Sequence, residues 1–244
     1  MGGHVSRRQL QYGLAVVWFG LYAYLLVAYV GRGNLSLLTP LVVFAAVFMA
    51  DLAGGIAHFV VDYTPNVSGV GLYELFHYEG NKGGKAYIKL RGAAMKKINA
   101  FHEVVFDFKV HHLSPGALGR RPIAQMTLPI IVFADLPITL ILVPLSELGV
   151  IPADVTLFML MFLAAATVSQ YAHSCTHRKQ VPAIARFLQT TRLFVSAEAH
   201  DVHHRDPTRS FCLLNGWSNP VVDVLFQLTL KLGIFKANGL EVIR

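Results

Sequence analysis

Residues 37–62 read LLTPLVVFAAVFMADLAGGIAHFVVD, and this stretch is the clearest indication of the type of fold. It is apolar along most of its length, and it ends on His58 and Asp62, which are four residues apart. About 20 apolar residues in a helix cross the hydrocarbon core of a bilayer. The sequence therefore predicts a transmembrane helix that contains Asp51 and carries polar side chains at one end.

Three other stretches have the same character, at about residues 11–30, 123–145 and 151–171. The alternative for the first is a cleaved signal peptide, because Arg7 and Arg8 precede it, but the run is long and no small-residue cleavage site follows. Pro137 and Pro144 lie in the third stretch, which we expect to be kinked or broken. We therefore predict four transmembrane helices.

The composition agrees with a membrane protein. Hydrophobic residues make up 54% of the 244 residues and charged residues 14%, whereas soluble globular proteins have about 25% charged residues. This balance excludes a disordered chain and argues against an ordinary soluble domain. The two cysteines, Cys175 and Cys212, are too few for a disulfide framework or a four-thiolate zinc site.

The basic residues are distributed asymmetrically about the four predicted spans. Of the 21 Lys and Arg residues, two precede the first span, nine lie between the second and third, and nine follow the fourth, so that Arg32 is the exception. The positive-inside rule then predicts that both termini and both long polar segments are cytosolic. The same residues favour attraction to phospholipid head groups or to an acidic electron donor, and we expect no nucleic-acid partner.

The polar segments predict shorter elements. Six glycines in residues 69–92 predict a flexible loop, which a helix over about residues 95–110 follows. Residues 182–205 favour helices at the membrane surface. Residues 220–235 are apolar but too short for a usual span, and they predict an interfacial or core-docking helix.

Histidine is the most informative residue type, with 11 copies in the chain. Eight of them form four groups, which are HFVVD at 58–62, HHLSP at 111–115, HSCTH at 173–177 and HDVHH at 200–204. Residues three and four apart on a helix face the same side, so the last two groups each predict a patch of imidazoles. All four groups fall on the predicted cytosolic side. We therefore expect an all-α, integral membrane bundle of four transmembrane helices with a cytosolic histidine-rich helical cap.

These histidine groups favour a metal centre, because imidazole binds zinc, copper, iron and nickel. One tetrahedral zinc takes four ligands, so eight histidines favour two metal ions, and two irons are the first choice. A bis-histidine haem bundle would instead pair histidines inside the bilayer. His4 and His77 are expected to be ordinary interfacial residues, and His102 is a weaker candidate ligand. The expected metal ligands are His58, His111, His112, His173, His177, His200, His203 and His204.

Three acidic residues are further candidates for functional roles. Asp62 lies one turn after His58, where its carboxylate can hydrogen-bond the far ring nitrogen of a ligand imidazole. Asp51 and Asp135 lie within predicted spans, where a charge is costly. We expect Asp51 near the site, and Asp135 lining a cavity or capping a broken helix.

The motifs resemble those of the Kua-type lipid desaturases, a family that includes the plasmanylethanolamine desaturases of plasmalogen biosynthesis. The resemblance covers about residues 51–225 and departs from the family pattern in an insertion within residues 66–108, which includes His77 and His102. It rests on DLAGGIAHF at 51–59, HFVVD at 58–62, HHLSPGAL at 111–118, HSCTH at 173–177, HDVHH followed by RDP at 200–207, and FCLLNGWSNP at 211–220.

The resemblance implies an O2-dependent oxidoreductase in which the eight histidines hold two iron ions. It implies electrons that arrive singly from cytochrome b5 and its reductase, or from a ferredoxin-like donor. Asp62 and Asp201 are the acids expected to orient the ligand imidazoles. The expected reaction introduces the vinyl-ether double bond into the alkyl chain of an ether phospholipid.

The resemblance also suggests an organisation and a location. We expect residues 1–36 to form the N-terminal tail and the first transmembrane helix, and residues 37–244 to form the lipid desaturase domain. The expected membrane is the endoplasmic reticulum in a eukaryote and the inner membrane in a bacterium.

Three other activities remain open from the sequence. A related plant branch of the family desaturates the acyl chain of a plastid phospholipid, and a di-iron lipid hydroxylase would use the same oxidant to insert an OH group. A membrane metal transporter would use the histidines as a relay. The transporter is disfavoured because the histidines lie at one edge of the spans.

Overall fold

The computed structural model describes residues 6–244, and every regular element within this range is helical. The predicted all-α class is therefore confirmed, whereas His4 lies outside the described residues. The helices are α1 (Arg7–Gly31), α2 (Thr39–Tyr63), α3 (Leu72–Phe76), α4 (Lys85–Met95), α5 (Ala100–Leu113), α6 (Gly116–Gly119), α7 (Ile123–Ile130), α8 (Leu136–Glu147), α9 (Ala153–Thr176), α10 (Ala183–Thr190), α11 (Ala197–Arg205) and α12 (Asn219–Lys231).

Four helical segments are long and apolar enough to cross a membrane, namely Arg8–Gly31, Thr39–Tyr63, Ile123–Glu147 and Ala153–Thr176. They agree with the four predicted spans, and the chain is a multi-pass membrane protein. The central pair of the bundle is α2 and α9. Hydrogen bonds between polar side chains join the spans, which is favourable in an apolar solvent: Trp18 Nε1 donates to Thr139 Oγ1 at 3.2 Å, and the Tyr29 hydroxyl donates to Asp154 at 2.9 Å.

The third span is irregular, as predicted. A π-helical turn, Ile131–Asp135, joins α7 to α8, and Pro129 precedes it inside α7. Proline has no N–H to donate and clashes with the preceding turn, which disrupts regular α-helical bonding nearby. Asp135 is buried at the end of the π-turn and accepts a hydrogen bond from Thr167 Oγ1 at 2.5 Å. This carboxylate therefore ties the third span to α9.

The glycine-containing residues 69–92 are more regular than the predicted flexible loop, because they include α3 and the first part of α4. Leu72, Leu75 and Ala94 bury their side chains in a cluster with Phe106 and Val242. This apolar packing overrides the weak helical propensity of the glycines. The next helix, α5, begins at residue 100 rather than 95 and has an asparagine cap.

Helix α12 docks onto the polar end of α2, as expected for a core-docking helix. Its Val222 and Phe226 are fully buried against Phe59 and Tyr63 of α2. A glycine permits the close approach, because a Cβ on Gly55 would lie only 2.9 Å from a methyl group of Val222. The short helices α10 and α11 lie within residues 182–205, where surface helices were predicted.

Candidate metal centre

The four histidine groups converge at one end of the bundle. The C-terminal parts of α2, α5 and α9 meet α11 there, and each contributes imidazoles. Two sets of potential ligands form, in each of which the ligand atoms lie within 4.8 Å of one another. Set A is His58, Asp62, His112 and His203, and set B is His111, His177, His200 and His204.

The Asp62 carboxylate lies at the centre of set A. Its Oδ2 atom is 3.1 Å from Nε2 of His112 and 3.3 Å from Nε2 of both His58 and His203. The Asp62 side chain is fully buried. Three imidazole nitrogens and one carboxylate oxygen therefore point at one small volume, which is a donor set suited to a divalent metal ion.

Backbone carbonyls orient two of the rings in set A. His58 Nδ1 donates to the Phe211 carbonyl at 2.7 Å, and His203 Nδ1 donates to the Arg209 carbonyl at 2.8 Å. Because the proton is held on Nδ1, the lone pair of each ring is on Nε2, which faces Asp62. Metal-binding histidines in proteins are oriented in this way.

This geometry differs from the contact that the sequence predicts for Asp62. The carboxylate contacts the Nε2 atoms, on the side of the rings where a metal would lie, and the two carbonyls occupy the positions behind the rings. Asp201 is exposed and pairs with Arg205 at 3.0 Å. No hydrogen bond joins Asp201 to an imidazole within the part of the chain that the structure describes.

Set B contains four imidazoles and is adjacent to a fifth. His173 lies beside it, with Nε2 at 3.0 Å from Nε2 of His200. Several buried ring nitrogens here have no hydrogen-bond partner among residues 6–244: both nitrogens of His111, Nε2 of His177 and His204, and Nδ1 of His173 and His200. Unpartnered buried donors and acceptors are costly, so these nitrogens fit a centre that is completed by metal ions.

Burial keeps the set B imidazoles neutral, which is the form that binds a metal. Desolvation, with repulsion from neighbouring imidazoles, lowers the pKa of His177 to about 4 and that of His204 to about 3. The same causes lower the pKa of His200 well below its usual value. Each ring therefore has a free lone pair at neutral pH.

The segment between α11 and α12 bonds to His58 through the Phe211 carbonyl, and Asp51 holds this segment in place. Asp51 of α2 accepts hydrogen bonds from the backbone N–H groups of Leu214, Asn215, Gly216 and Ser218 at 3.0–3.3 Å, and from the Ser218 hydroxyl at 2.8 Å. This buried carboxylate anchors the segment that carries the Phe211 carbonyl. Asp51 was expected near the site, and it affects the site indirectly, by holding the backbone of residues 214–218.

Ser210 lies between the two carbonyls that orient His58 and His203. Its backbone is in the left-handed region, with φ of 59°, which is uncommon for a residue other than glycine. The Ser210 N–H donates to Asp223 Oδ1 at 2.8 Å, and this bond holds the turn. Sequence reasoning misses Asp223, because its partner is a backbone N–H of a distant loop.

Lys109 is a second residue that sequence reasoning misses. The side chain is buried, and its Nζ donates to the backbone carbonyl of Asp62 at 2.8 Å and to that of Gly239. Burial lowers the pKa of Lys109 to about 8. The ammonium group satisfies a carbonyl at the C-terminal end of α2, and so it fixes α5, which carries His111 and His112, against the turn that carries Asp62.

Two other histidines lie outside the centre. His77 is exposed and its ring contacts Tyr73, with a centroid separation of 4.4 Å. His102 bonds through Nδ1 to the side chain of Asn99 at 2.9 Å. Neither belongs to set A or set B, which agrees with the expectation for His77 and removes the geometric support for His102 as a ligand.

A cavity of about 360 Å³ lies directly beside the centre. His111 and His173 form part of its wall, and most of the remaining wall is apolar, including Phe108, Met126 and Ile130. Arg121 and Asp107 line it as well. The cavity can therefore bring a largely apolar molecule next to set B.

Together, the fold and the site define a multi-pass membrane protein with a histidine-rich centre suited to two metal ions. Comparison with protein families agrees with this class. Residues 96–240, more than half of the chain, match the lipid desaturase domain, and the chain belongs to that family. It is an oxidoreductase, a membrane lipid desaturase. His58 and Asp62 lie upstream of the matched range, and the fold places them beside matched histidines.

The other comparisons found no relatives. No curated protein matches this chain, and no solved structure matches it.

Proposed function

We propose that sets A and B, with His173 between them, bind two iron ions and introduce the vinyl-ether double bond of an ether phospholipid. The observation that carries this proposal is the pair of adjacent donor sets, one with a carboxylate and one of imidazoles alone. A single zinc site needs four ligands, whereas this centre offers nine. Nitrogen and carboxylate donors without thiolates suit iron.

The proposed reaction converts a –CH2–CH2– unit of the chain to –CH=CH–. Two C–H bonds break, one carbon–carbon π bond forms, and O2 is reduced to two molecules of water with two further electrons and two protons. When bound, the two irons supply the O2 activation and the oxidising power for this step. The electrons come one at a time from a carrier protein, for which cytochrome b5 with its reductase or a ferredoxin-like protein is suitable.

The protein's own residues hold and shield the centre. The carbonyls of Phe211 and Arg209 retain the Nδ1 protons of His58 and His203, so that both rings bind through Nε2. Asp62 would supply a negative charge that partly offsets the charge of a bound metal ion. The apolar wall beside His111 and His173 excludes water from a strong oxidant.

Charge on the cap supports an acidic electron donor. Basic side chains are exposed around α10 and α11 and on the loops beside them: Lys179, Arg186, Arg192, Arg205 and Arg209. Complementary charge speeds the encounter of electron-transfer partners.

By the positive-inside rule this cap, the metal centre and both termini face the cytosol, in the endoplasmic reticulum of a eukaryote or the inner membrane of a bacterium.

The proposal is tested by expressing the chain in cells that lack ether-lipid desaturation and measuring vinyl-ether lipids by mass spectrometry. We expect vinyl-ether product with the unchanged chain and none with His173→Ala or His203→Ala. His77→Ala is the matched control, because this histidine lies outside both sets, and it should retain activity. Iron should be present at two ions per purified chain.

Four results would each overturn part of this proposal. Acyl-chain double bonds without vinyl ether would assign the enzyme to acyl desaturation, and a chain hydroxylated without a new double bond would make it a lipid hydroxylase. A purified protein that binds zinc alone would remove the oxidative chemistry. Uptake of metal into cells without any lipid product would instead indicate a transporter.

A further inference from the structure

The cavity beside set B is bordered by the imidazoles of His111 and His173 and also by two charged side chains, Asp107 and Arg121. It lies between α5, the beginning of α7 and the end of α9, where Gln125 and Gln170 face it. Because α7 opens the third span and α9 closes the fourth, the cavity lies at the level of the membrane boundary. That is where the glycerol region of a phospholipid lies.

The charged end consists of a carboxylate between two guanidinium groups. Asp107 is 3.2 Å from Arg91 and 3.5 Å from Arg121, and the Arg121 side chain is half exposed. The longer of these ion pairs is the one that borders the cavity. An Arg guanidinium offers a planar fork that binds phosphate oxygens in a bidentate manner. A phosphate at the cavity mouth can therefore replace Asp107 as the partner of Arg121.

We propose that Arg121 binds the phosphate of a phospholipid substrate and that the first carbons of its chain lie against His111 and His173. The chain carbons beside the glycerol, where the vinyl ether of the proposed function forms, then lie at the centre, and carbons far along the chain stay in the bilayer. This inference deepens the proposed function and rests on it, since it concerns the substrate of the same centre.

The size of the cavity supports this position of the double bond. Its volume of about 360 Å³ is near the lower end of the range for small-molecule sites, roughly 300–1,000 Å³. Arg121 and His111 both line this one small space. A lipid whose phosphate contacts Arg121 therefore presents carbons near its head group to the metals.

Photo-crosslinking tests the placement without relying on turnover. Two phosphatidylethanolamine probes are used, with a diazirine either near the glycerol or near the end of the same chain. The first should label peptides of α5 and α9 that line the cavity, and the second should label them little. A diacylglycerol probe without phosphate should label the cavity weakly. Equal labelling by all three probes would overturn the inference.

Two matched pairs of variants complete the test. Arg121→Gln should raise KM for phospholipid by about tenfold or more with little change in kcat, whereas Arg120→Gln, one residue away and outside the cavity wall, should not. Met126→Trp should block labelling at an unchanged two irons per chain. Ile123→Trp, at an exposed position at the start of the same helix that does not line the cavity, should not block it.

The results separate the two proposals. Labelling of the cavity without any desaturated product would remove the proposed function and leave the lipid site in place. Vinyl-ether formation with an unchanged KM in Arg121→Gln would remove the lipid site and leave the desaturase.

Discussion

Asp62 is the central side chain of set A, the candidate metal site that contains a carboxylate. Its Oδ2 atom lies within 3.3 Å of three imidazole nitrogens, and no Lys or Arg side chain of residues 6–244 forms a salt bridge with it. A fully buried carboxylate is costly unless a cation compensates it. A metal ion bound between the three rings supplies that compensation.

We therefore expect Asp62→Asn to lose the metal of set A selectively. Asparagine keeps the size of the side chain but removes the negative charge. Iron per purified chain should fall from two toward one, and desaturation should fall by more than about 100-fold, since even residues that only orient a ligand contribute about 10–100-fold. Elemental analysis and lipid mass spectrometry measure these two quantities.

Asp201→Asn is the control for this variant. Its carboxylate is exposed and pairs with Arg205, so both iron content and activity should be unchanged. A loss of iron in Asp201→Asn equal to that in Asp62→Asn would show that the ligand assignment is incorrect.

Among the structural elements, the turn between α11 and α12 orients two rings of set A, those of His58 and His203. Ser210 holds a positive φ, its N–H is bound by Asp223, and the carbonyls on either side of it orient His58 and His203. Helix α12 thus helps to position the candidate ligands of set A although it provides none of them. Its buried Val222 and Phe226 fix Asp223 relative to α2.

We expect Asp223→Ala to weaken metal binding in set A by about 10–100-fold, the range for residues that orient a ligand. The reason is that the turn loses its side-chain anchor and both carbonyls can move. Ser210→Gly, which keeps the positive φ without strain, should bind iron as the unchanged chain does. Iron titration of the metal-free protein provides the measurement, and equal affinity of Asp223→Ala and Ser210→Gly would contradict this role.

Most of the helices and their approximate positions were predictable from the sequence. The four spans follow from apolar runs of sufficient length, and the histidine patches of α9 and α11 follow from helical spacing. The division of HDVHH between two sets was not predictable: His203 joins set A, whereas His200 and His204 join set B. That division depends on the packing of α11 against other helices, and the oriented carbonyls belong to a backbone that no side-chain pattern reveals.

At the scale of the whole molecule, the two sets join four helices at one end of the bundle. Set A connects α2, α5 and α11, and set B connects α5, α11 and the residue that follows α9. Without metal, this end of the protein is a cluster of buried imidazoles with several unpartnered nitrogens. Bound metal ions would therefore stabilise the packing of the bundle as well as provide chemistry.

Removal of metal should lower the thermal stability of the protein. A ligand that binds only the folded state at 100 times its Kd stabilises it by about 2.7 kcal/mol. For a chain of this size, that corresponds to a decrease in Tm of roughly 5–10 °C on chelation. Fluorimetric melting of chelated and iron-reloaded protein in detergent measures this change.

The Asp62→Asn variant makes this whole-molecule prediction specific. Because it keeps set B, chelation should lower its Tm by less than it lowers that of the unchanged chain. Reloading with iron should restore the unchanged chain fully and the variant in part. If chelation left both melting temperatures unchanged, the helices would hold the centre in place without metal, and the coupling between metal binding and bundle stability would be excluded.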